Sequence, residues 1–473
     1  MGDEIGQRDF HAEDFSRFRR RLAEETDLVE ALFRDGGFST RGDITGFELE
    51  AWIVDGDGNP SPVNQELLRT VDDPLLVPEL ATFSVELNGS PTRLTGRVFS
   101  RIFDELNATW TRCTEGARQI GCRLVSIGTL PTVQPELLHS SNMSPMVRYQ
   151  ALNDRIMAVR DGAPLEIDIK GVDHLAMEHD DVMLEAATTS FQIHLQCLPD
   201  RAVRDFNASV AVSAPMVALA ANSPFLFGRS LWAETRIRLF EQAVSMGARN
   251  PERVTFGTGY AKDSLFELFR ENQSVHRVLI PFVQPDEPPS KYSHVRFQNG
   301  TVWRWNRPLL GFDFDGQPHV RIEHRVTPSG PTIRDSVANA AAYLGMVRGL
   351  VDLHPGIIEQ ELDFETAREN FYHAAQVGLE ADISWPGLGT VPVRKLLQDT
   401  LLPLAGKALQ ELDIPAEETE RYLDIVAARV EDGRNGAAWQ TEWVRRHGPD
   451  WSGLTCAYLD KQETGEPVHT WAI

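Results

Sequence analysis

The segment Gly46-Phe-Glu-Leu-Glu-Ala-Trp-Ile53 alternates like a β-strand. In an extended strand that pattern places Phe47, Leu49, Ala51 and Ile53 on one face and Glu48, Glu50 and Trp52 on the other. Two carboxylates on one strand face stand about 7 Å apart, because a strand rises roughly 3.3 Å per residue. Like charges that close are costly unless water or a cation compensates them. Taken alone, a solvent-facing polar edge is the simplest reading. The rest of the chain must supply a reason to reject it.

Three further segments supply one. Phe83-Ser-Val-Glu-Leu-Asn88 sets Phe83, Val85 and Leu87 against Ser84, Glu86 and Asn88. Thr188-Thr-Ser-Phe-Gln-Ile-His-Leu-Gln196 sets Phe191, Ile193 and Leu195 against Ser190, Gln192, His194 and Gln196. His319-Val-Arg-Ile-Glu-His-Arg-Val326 lines up Arg321, Glu323 and Arg325. If the four strands share one sheet, their polar faces pool Glu48, Glu50, Glu86, Gln192, His194 and Glu323, with Arg321 and Arg325 beside them. Carboxylates with an amide and an imidazole suit hard divalent cations. Two such ions could clamp a polyphosphate, and arginines bind phosphate or carboxylate as planar forks. Each residue also has an ordinary reading. Glu86 alone fits a surface strand, His194 a hydrogen-bonded core histidine, and Arg321 to Arg325 a cross-strand ladder of little energetic consequence.

The remaining order is helical. Residues 12–34 read as an amphipathic helix within an N-terminal segment 1–40, ended by Gly36-Gly37. Helices follow at about 96–121 and, as two segments broken at Asn222-Ser-Pro-Phe225, across 201–246. Residues 123–128 read as a short apolar strand. Ser329-Gly-Pro331 turns the chain into a helix reaching about Val351, and 358–374, 393–411 and 416–432 show helical periodicity within a mainly helical portion, 357–447. A mostly antiparallel sheet with one face covered by helices fits this order, an α+β fold, in a single elaborated domain spanning 1–473. Asp55-Gly-Asp-Gly-Asn-Pro60 reads as a plain turn, His174 to Asp181 as a solvated acidic loop, and Gly257-Thr-Gly259 as a loop. Lys291 to Arg307, rich in aromatics and arginine, reads equally as a substrate-recognition loop and as a hairpin turned at Asn299-Gly300.

A formal net charge of −23 argues against nucleic-acid and anionic-membrane partners. No run approaches a membrane span, and Met-Gly-Asp-Glu-Ile is unlike a signal peptide, so cytoplasmic residence is the expectation. Cys113, Cys122, Cys197 and Cys456 lack metal-finger spacing. Buried free thiols are favoured, with a Cys113–Cys122 disulfide left open. No phosphate-binding glycine loop, nucleophile elbow or zinc-protease helix motif is present, so any nucleotide must be held through metals and arginines.

Taken in order, these motifs resemble the carboxylate–amine ligases related to type 2 glutamate–cysteine ligase, which share the glutamine synthetase catalytic fold. The resemblance rests on Gly46 to Glu50, Phe83 to Asn88, Ala221-Asn-Ser-Pro-Phe225 with Gly228-Arg229 and Thr235-Arg236, Arg321 to Arg325 with Pro328-Ser-Gly-Pro-Thr332, and Asn435-Gly-Ala-Ala-Trp-Gln440. It implies that ATP phosphorylates a carboxylate, such as the γ-carboxylate of glutamate, and that an amine such as cysteine attacks the acyl phosphate. It further implies two or more Mg²⁺ ions, with Mn²⁺ as a substitute. Glu50 and Glu86 would hold one ion; Glu48, Gln192 and Glu323 would hold the other. Arg325 would stabilise the moving phosphoryl group, and His194, Arg236, Arg296, Arg321, Asn88 and Asn222 would contact substrate or nucleotide. Gln192 stands where glutamine synthetase carries histidine. A homo-oligomer is compatible with this reading. Its rivals are a two-metal hydrolase on the same carboxylates and a binding protein of this fold without catalysis.

Overall fold

The computed structural model describes residues 4–282 and 287–473. Six strands form the sheet that matters for the site: β1 (Ile44–Val54), β2 (Leu76–Pro78), β3 (Ser84–Asn88), β4 (Phe191–Gln196), β5 (Asn306–Phe312) and β6 (Pro318–His324). Their order is β5-β6-β4-β1-β3-β2, and every neighbouring pair is antiparallel. Thr92–Arg93 and Arg123–Val125 pair with the two ends of β1. The apolar strand expected over 123–128 therefore stops at Val125.

Register gathers the polar residues. Directly opposed residues in antiparallel strands share a sheet face. Glu48 lies opposite Asn88 on one side and Gln192 on the other, and Glu50 lies opposite Glu86. Glu323 lies between His194 and Arg307. The other face carries Phe47, Leu49, Val85, Leu87, Phe191, Ile193, Leu195 and Ile322, all buried. Helices Val98–Gln119, Ala202–Ala211 and Ile333–Arg348 pack on the sheet. On this apolar face the ring of His324 stacks on Tyr343 with centroids 4.1 Å apart. Trp52, the bulkiest residue of β1's polar alternation, is fully buried, stacked on Phe83 with its Nε1 donating to Thr189 Oγ1 at 3.3 Å.

Local sequence explains where elements differ from expectation. The region 201–246 forms three helices, because Ala202–Ala211 and Ser213–Ala220 break at Val212 before Thr235–Ala243 follows. Pro215 has no N–H to offer the Ala211 carbonyl, so a continuous helix would lose that bond. Similarly, 358–374 divides into Ile357–Glu361 and Phe364–Val377, the second capped by Asp363 Oδ1 accepting from Thr366 N at 3.0 Å. The helix read over 393–411 contains a π turn, Leu397–Leu401, ending two positions before Pro403. Ala416–Asp432 matches expectation, closed by Gly433 at φ 64°. The portion beyond 357 also holds a hairpin, Asp382–Trp385 with Gly389–Pro392, and its helices continue to Gln462.

Two loop readings are corrected. His174–His179 is a strand paired with Leu165–Lys170, and its histidines meet Asp168 and Asp181. The alternation of Leu165, Ile167 and Ile169 drives that hairpin. Asn299-Gly300 does not turn a hairpin: Ser293–Asn299 is a helix, and the buried Asn299 side chain donates to Pro308 O at 2.8 Å. Asp55 to Pro60 is the expected plain turn, with Asp55 Oδ1 accepting from the backbone of Asp57 and Asn59. All four cysteines are free. No helix among the described residues is long and apolar enough to cross a membrane.

The turn after β6 is locked to the helices by a buried amide. Asn222 Nδ2 donates to Ser329 O at 2.7 Å and to the Tyr458 hydroxyl at 2.8 Å, while its Oδ1 accepts from Gln440 Nε2 at 2.9 Å. Removing that amide strands several buried groups at once, each costing about 1–3 kcal/mol. Asn222→Ala should therefore lower unfolding free energy by about 3 kcal/mol in urea titration. A loss below about 0.5 kcal/mol would show that the network carries no stability.

Candidate active site

Glu50 on β1 is buried and fully engaged. Its carboxylate accepts from Ser190 N at 2.7 Å, Ser190 Oγ at 3.0 Å and Gln192 Nε2 at 2.8 Å. Gln192 in turn accepts at Oε1 from Arg325. Arg325 also donates to Glu323 Oε2 at 3.2 Å, and Arg307 grips Glu323 through two bonds of 2.9 Å. One connected chain thus runs Glu50, Gln192, Arg325, Glu323, Arg307 across four strands. Burial opposes ionisation of Glu323, but Arg307 and Arg325 outweigh it and hold the carboxyl well below the usual range. Arg325 remains charged: burial works against it, and the fields of Glu323, Glu50 and Glu48 prevail.

His194 links the other arginine to Glu48. Arg321 Nε donates to His194 Nδ1 at 3.2 Å, and His194 Nε2 lies 3.3 Å from Glu48 Oε1. A neutral imidazole has one ring lone pair, and Arg321 uses it at Nδ1. Nε2 is buried with no hydrogen-bond partner, and a ring nitrogen of His194 lies with carboxylate oxygens of Glu48 and Glu323 all within 4.8 Å of one another. Burial raises the cost of ionising Glu48, but its contact with His194 keeps the carboxyl below its ordinary value.

Beside this half three carboxyls converge. Carboxylate oxygens of Glu50, Glu79 and Glu86 lie within 4.8 Å of one another. Burial, then repulsion from Glu48, pushes Glu86 up to about 7. Burial, then the neighbouring Glu86 and Glu50, drives Glu79 well above the ordinary carboxylate value. Burial, then Glu50, carries Glu185 up to about 8. Burial also raises Glu50, with Arg325 opposing it. Glu79, Glu185 and Arg307 were absent from the residues picked by alternation. Glu79 precedes β3 outside any periodic run, and Glu185 sits in a short 3-10 segment. Arg307 precedes Pro308, which argues against a central strand; β5 is an edge strand, where proline is tolerated.

Glu86, Glu185 and Arg307 open onto a cavity of about 280 Å³; Glu50 and Glu79 lie behind its wall. Glu48, Glu86, Gln192, Arg307, Arg321 and Arg325 line its polar wall, and Leu152, Val182, Phe240, Val244 and Ile280 its apolar wall. Arg296 reaches the same cavity from the helix Ser293–Asn299, its guanidinium 5.7 Å from the Phe312 ring centroid. Asn88 donates to Glu86 Oε1 at 3.1 Å. Arg236 and Asn222 are not among the lining residues: Arg236 pairs with Glu234 at 2.9 Å, and Glu234 also accepts from Asn222 N at 2.8 Å.

The donor set fits divalent cations unequally. Glu50, Glu79 and Glu86 offer clustered hard oxygens whose mutual repulsion a cation would relieve, and Glu79 Oε1 is buried without a hydrogen-bond partner. Glu48, Gln192 and Glu323 offer oxygens as well, but both Glu323 oxygens are already bound by Arg307.

A model of glutamate–cysteine ligase family 2 matches residues 44–453, a span containing all six strands. The fold is similar to a glutamate–cysteine ligase from Francisella tularensis solved in complex with AMP: 11% identity, 92% of this chain and 96% of that one, TM-score 0.50. It is also similar to a bifunctional glutathione synthetase from Pasteurella multocida: 11% identity, 94% of this chain and 54% of that one, TM-score 0.52. At these identities the likeness concerns fold. No curated protein matches the chain in sequence.

Raised carboxyls carry a stability consequence of definite sign. Glu86 and Glu185 contribute stability below the ordinary value of 4.5 and lose it as pH rises through about 7 and about 8. The metal-free protein should therefore show a lower urea midpoint at about pH 8 than at about pH 6, and Glu185→Gln should flatten that difference. An unchanged or rising midpoint would contradict the raised pKa values of Glu86 and Glu185.

Proposed function

Because the chain belongs to glutamate–cysteine ligase family 2, we propose that it is an ATP-dependent carboxylate–amine ligase joining the γ-carboxylate of glutamate to the amine of cysteine. The observation that carries this reading is the single register that brings Glu48, Glu86, Gln192 and Glu323 to one cavity wall, with Glu50 opposite Glu86 behind it and Arg325 just past β6. ATP would phosphorylate the acid, and the amine would displace phosphate from the acyl phosphate, releasing ADP and phosphate. No protein nucleophile is needed; alignment and charge stabilisation carry the reaction.

Glu50, Glu79 and Glu86 would hold one divalent cation, Mg²⁺ or Mn²⁺; Glu48, Gln192 and Glu323 would hold a second, in competition with Arg307 for Glu323. Bound there, the ions supply neutralisation of the β- and γ-phosphates. The protein's own part centres on Arg325. Gln192 and Glu323 fix its NH1, while its Nε is buried with no partner, leaving a donor for an incoming oxyanion. Arg321 and Arg296 bring further positive charge to the same cavity, suited to a substrate carboxylate. The buried setting excludes bulk water, which protects an acyl phosphate from hydrolysis.

Incubation with ATP, Mg²⁺, glutamate and a panel of amines should release ADP only when an amine acceptor is present, with cysteine the preferred one. Absence of turnover with every amine, using metal-replete protein, would overturn the reading; preference for another amine would correct only the acceptor. Glu50→Ala should abolish turnover while circular dichroism stays native. Arg325→Lys keeps the charge but loses the fork, and should lower kcat by about a hundredfold or more. Full activity in either variant would remove that residue from the mechanism.

A further inference from the structure

A second cavity, of about 360 Å³, lies outside this site. It is walled by the helix Val98–Gln119, the first turn of the helix Ile333–Arg348 and the segment just after the helix Trp451–Gln462. The proposed reaction uses none of its residues.

Three of its polar groups are spare. Ser126 is 1% exposed and its hydroxyl has no hydrogen-bond partner. The buried Thr114 hydroxyl and Arg334 Nε also lack partners. Among the described residues, Arg334 pairs with no carboxylate; its guanidinium lies over Phe103, 5.5 Å from the ring centroid. Of the lining acids, Glu463 is shared by Arg118 at 3.4 Å and Arg123 at 3.1 Å, and Glu115 is exposed. Asp335, next to Arg334, is spent on Arg429 at 2.8 Å. Arg334 also sits in the first turn of a 16-residue helix, whose start carries partial positive charge. A lone guanidinium, two unpartnered hydroxyls and a helix start at one cavity make an oxyanion site that the protein itself does not fill.

We propose that this cavity binds a small molecule through a carboxylate or phosphate group, held by Arg334, Ser126 and Thr114, with Phe103 and Trp110 flanking it. Position gives the site a route to the catalytic face. Ser126 O accepts from Tyr458 and Gln462, and Gln462 also donates to Pro331 O. In the same turn, Ser329 Oγ donates to Glu50 O at 2.6 Å. An occupant therefore sits behind the turn that supports the backbone of Glu50.

The test is calorimetric titration of the full chain at fixed ionic strength, first with inorganic phosphate and then with glutamate, comparing wild type with Arg334→Gln and Ser126→Ala. One saturable site should weaken about tenfold or more in Arg334→Gln and measurably in Ser126→Ala, with melting temperature retained. Loss of that site for phosphate alone, glutamate alone or both would each support the proposal and name the oxyanion. Identical isotherms for wild type and both variants would overturn it. The readout is binding at a place separate from the cavity beside β1, so it stands whether or not ligase turnover is found.

Discussion

Charge compensation on a buried sheet face is the constraint on which the rest of this molecule depends. β1, β3 and β6 cannot keep their acids buried without partners, because an isolated buried carboxylate is strongly disfavoured. Antiparallel register resolves half of the problem by setting Glu323 between His194 and Arg307 and by running Arg325 between Glu323 and Gln192. The other half gathers carboxyls: oxygens of Glu50, Glu79 and Glu86 lie within 4.8 Å of one another. That asymmetry accounts for opposite shifts on one surface: Glu323 is held ionised by its arginines, whereas Glu86 and Glu79 are pushed toward neutrality by burial and by one another.

The remainder of the fold holds that face still. Apolar residues on the reverse side of the same strands pack beneath helices, so the alternation that loads one face anchors the other. The Ser329-Gly-Pro331 turn, tied by Asn222 to Tyr458 and Gln440, fixes the exit of β6, and Ser329 itself bonds the β1 backbone at Glu50. Arg236 and Glu234 extend that buried polar core behind the cavity. Substitutions there would disturb the site through the positions of its strands, without touching a ligand.

Much of this was legible in the residues, for physical reasons that also mark where legibility ends. Glu48, Glu50, Glu86, Gln192, His194 and Glu323 lie on strands with strict period-two alternation, Arg325 follows β6 directly, and a strand's face follows from that period. The helix Ala416–Asp432 was legible because Pro415 and Gly433 bracket it. Glu79 and Glu185 were not, since neither belongs to a periodic segment and only tertiary packing turns them toward Glu50. Arg307 depends on cross-strand register, which no single strand encodes. Asn299-Gly300 misled because its turn chemistry is real but outweighed: the Asn299 side chain is buried, accepting from Asn272 Nδ2 at 2.6 Å and bonding Pro308. The split at Val212 follows from Pro215, a signal weaker than the apolar run around it.

On the proposed reading, two groups of oxygen donors, one a cluster of carboxyls and one shared with arginine, are completed by cations that hold a nucleotide against Arg325. Anomalous diffraction from crystals containing Mn²⁺ and a non-hydrolysable ATP analogue tests it most directly. The account predicts one anomalous peak among Glu50, Glu79 and Glu86, a second beside Glu48, Gln192 and Glu323, and the terminal phosphate within reach of Arg325. Nucleotide bound elsewhere, or no anomalous density among these carboxylates at saturating Mn²⁺, would contradict it.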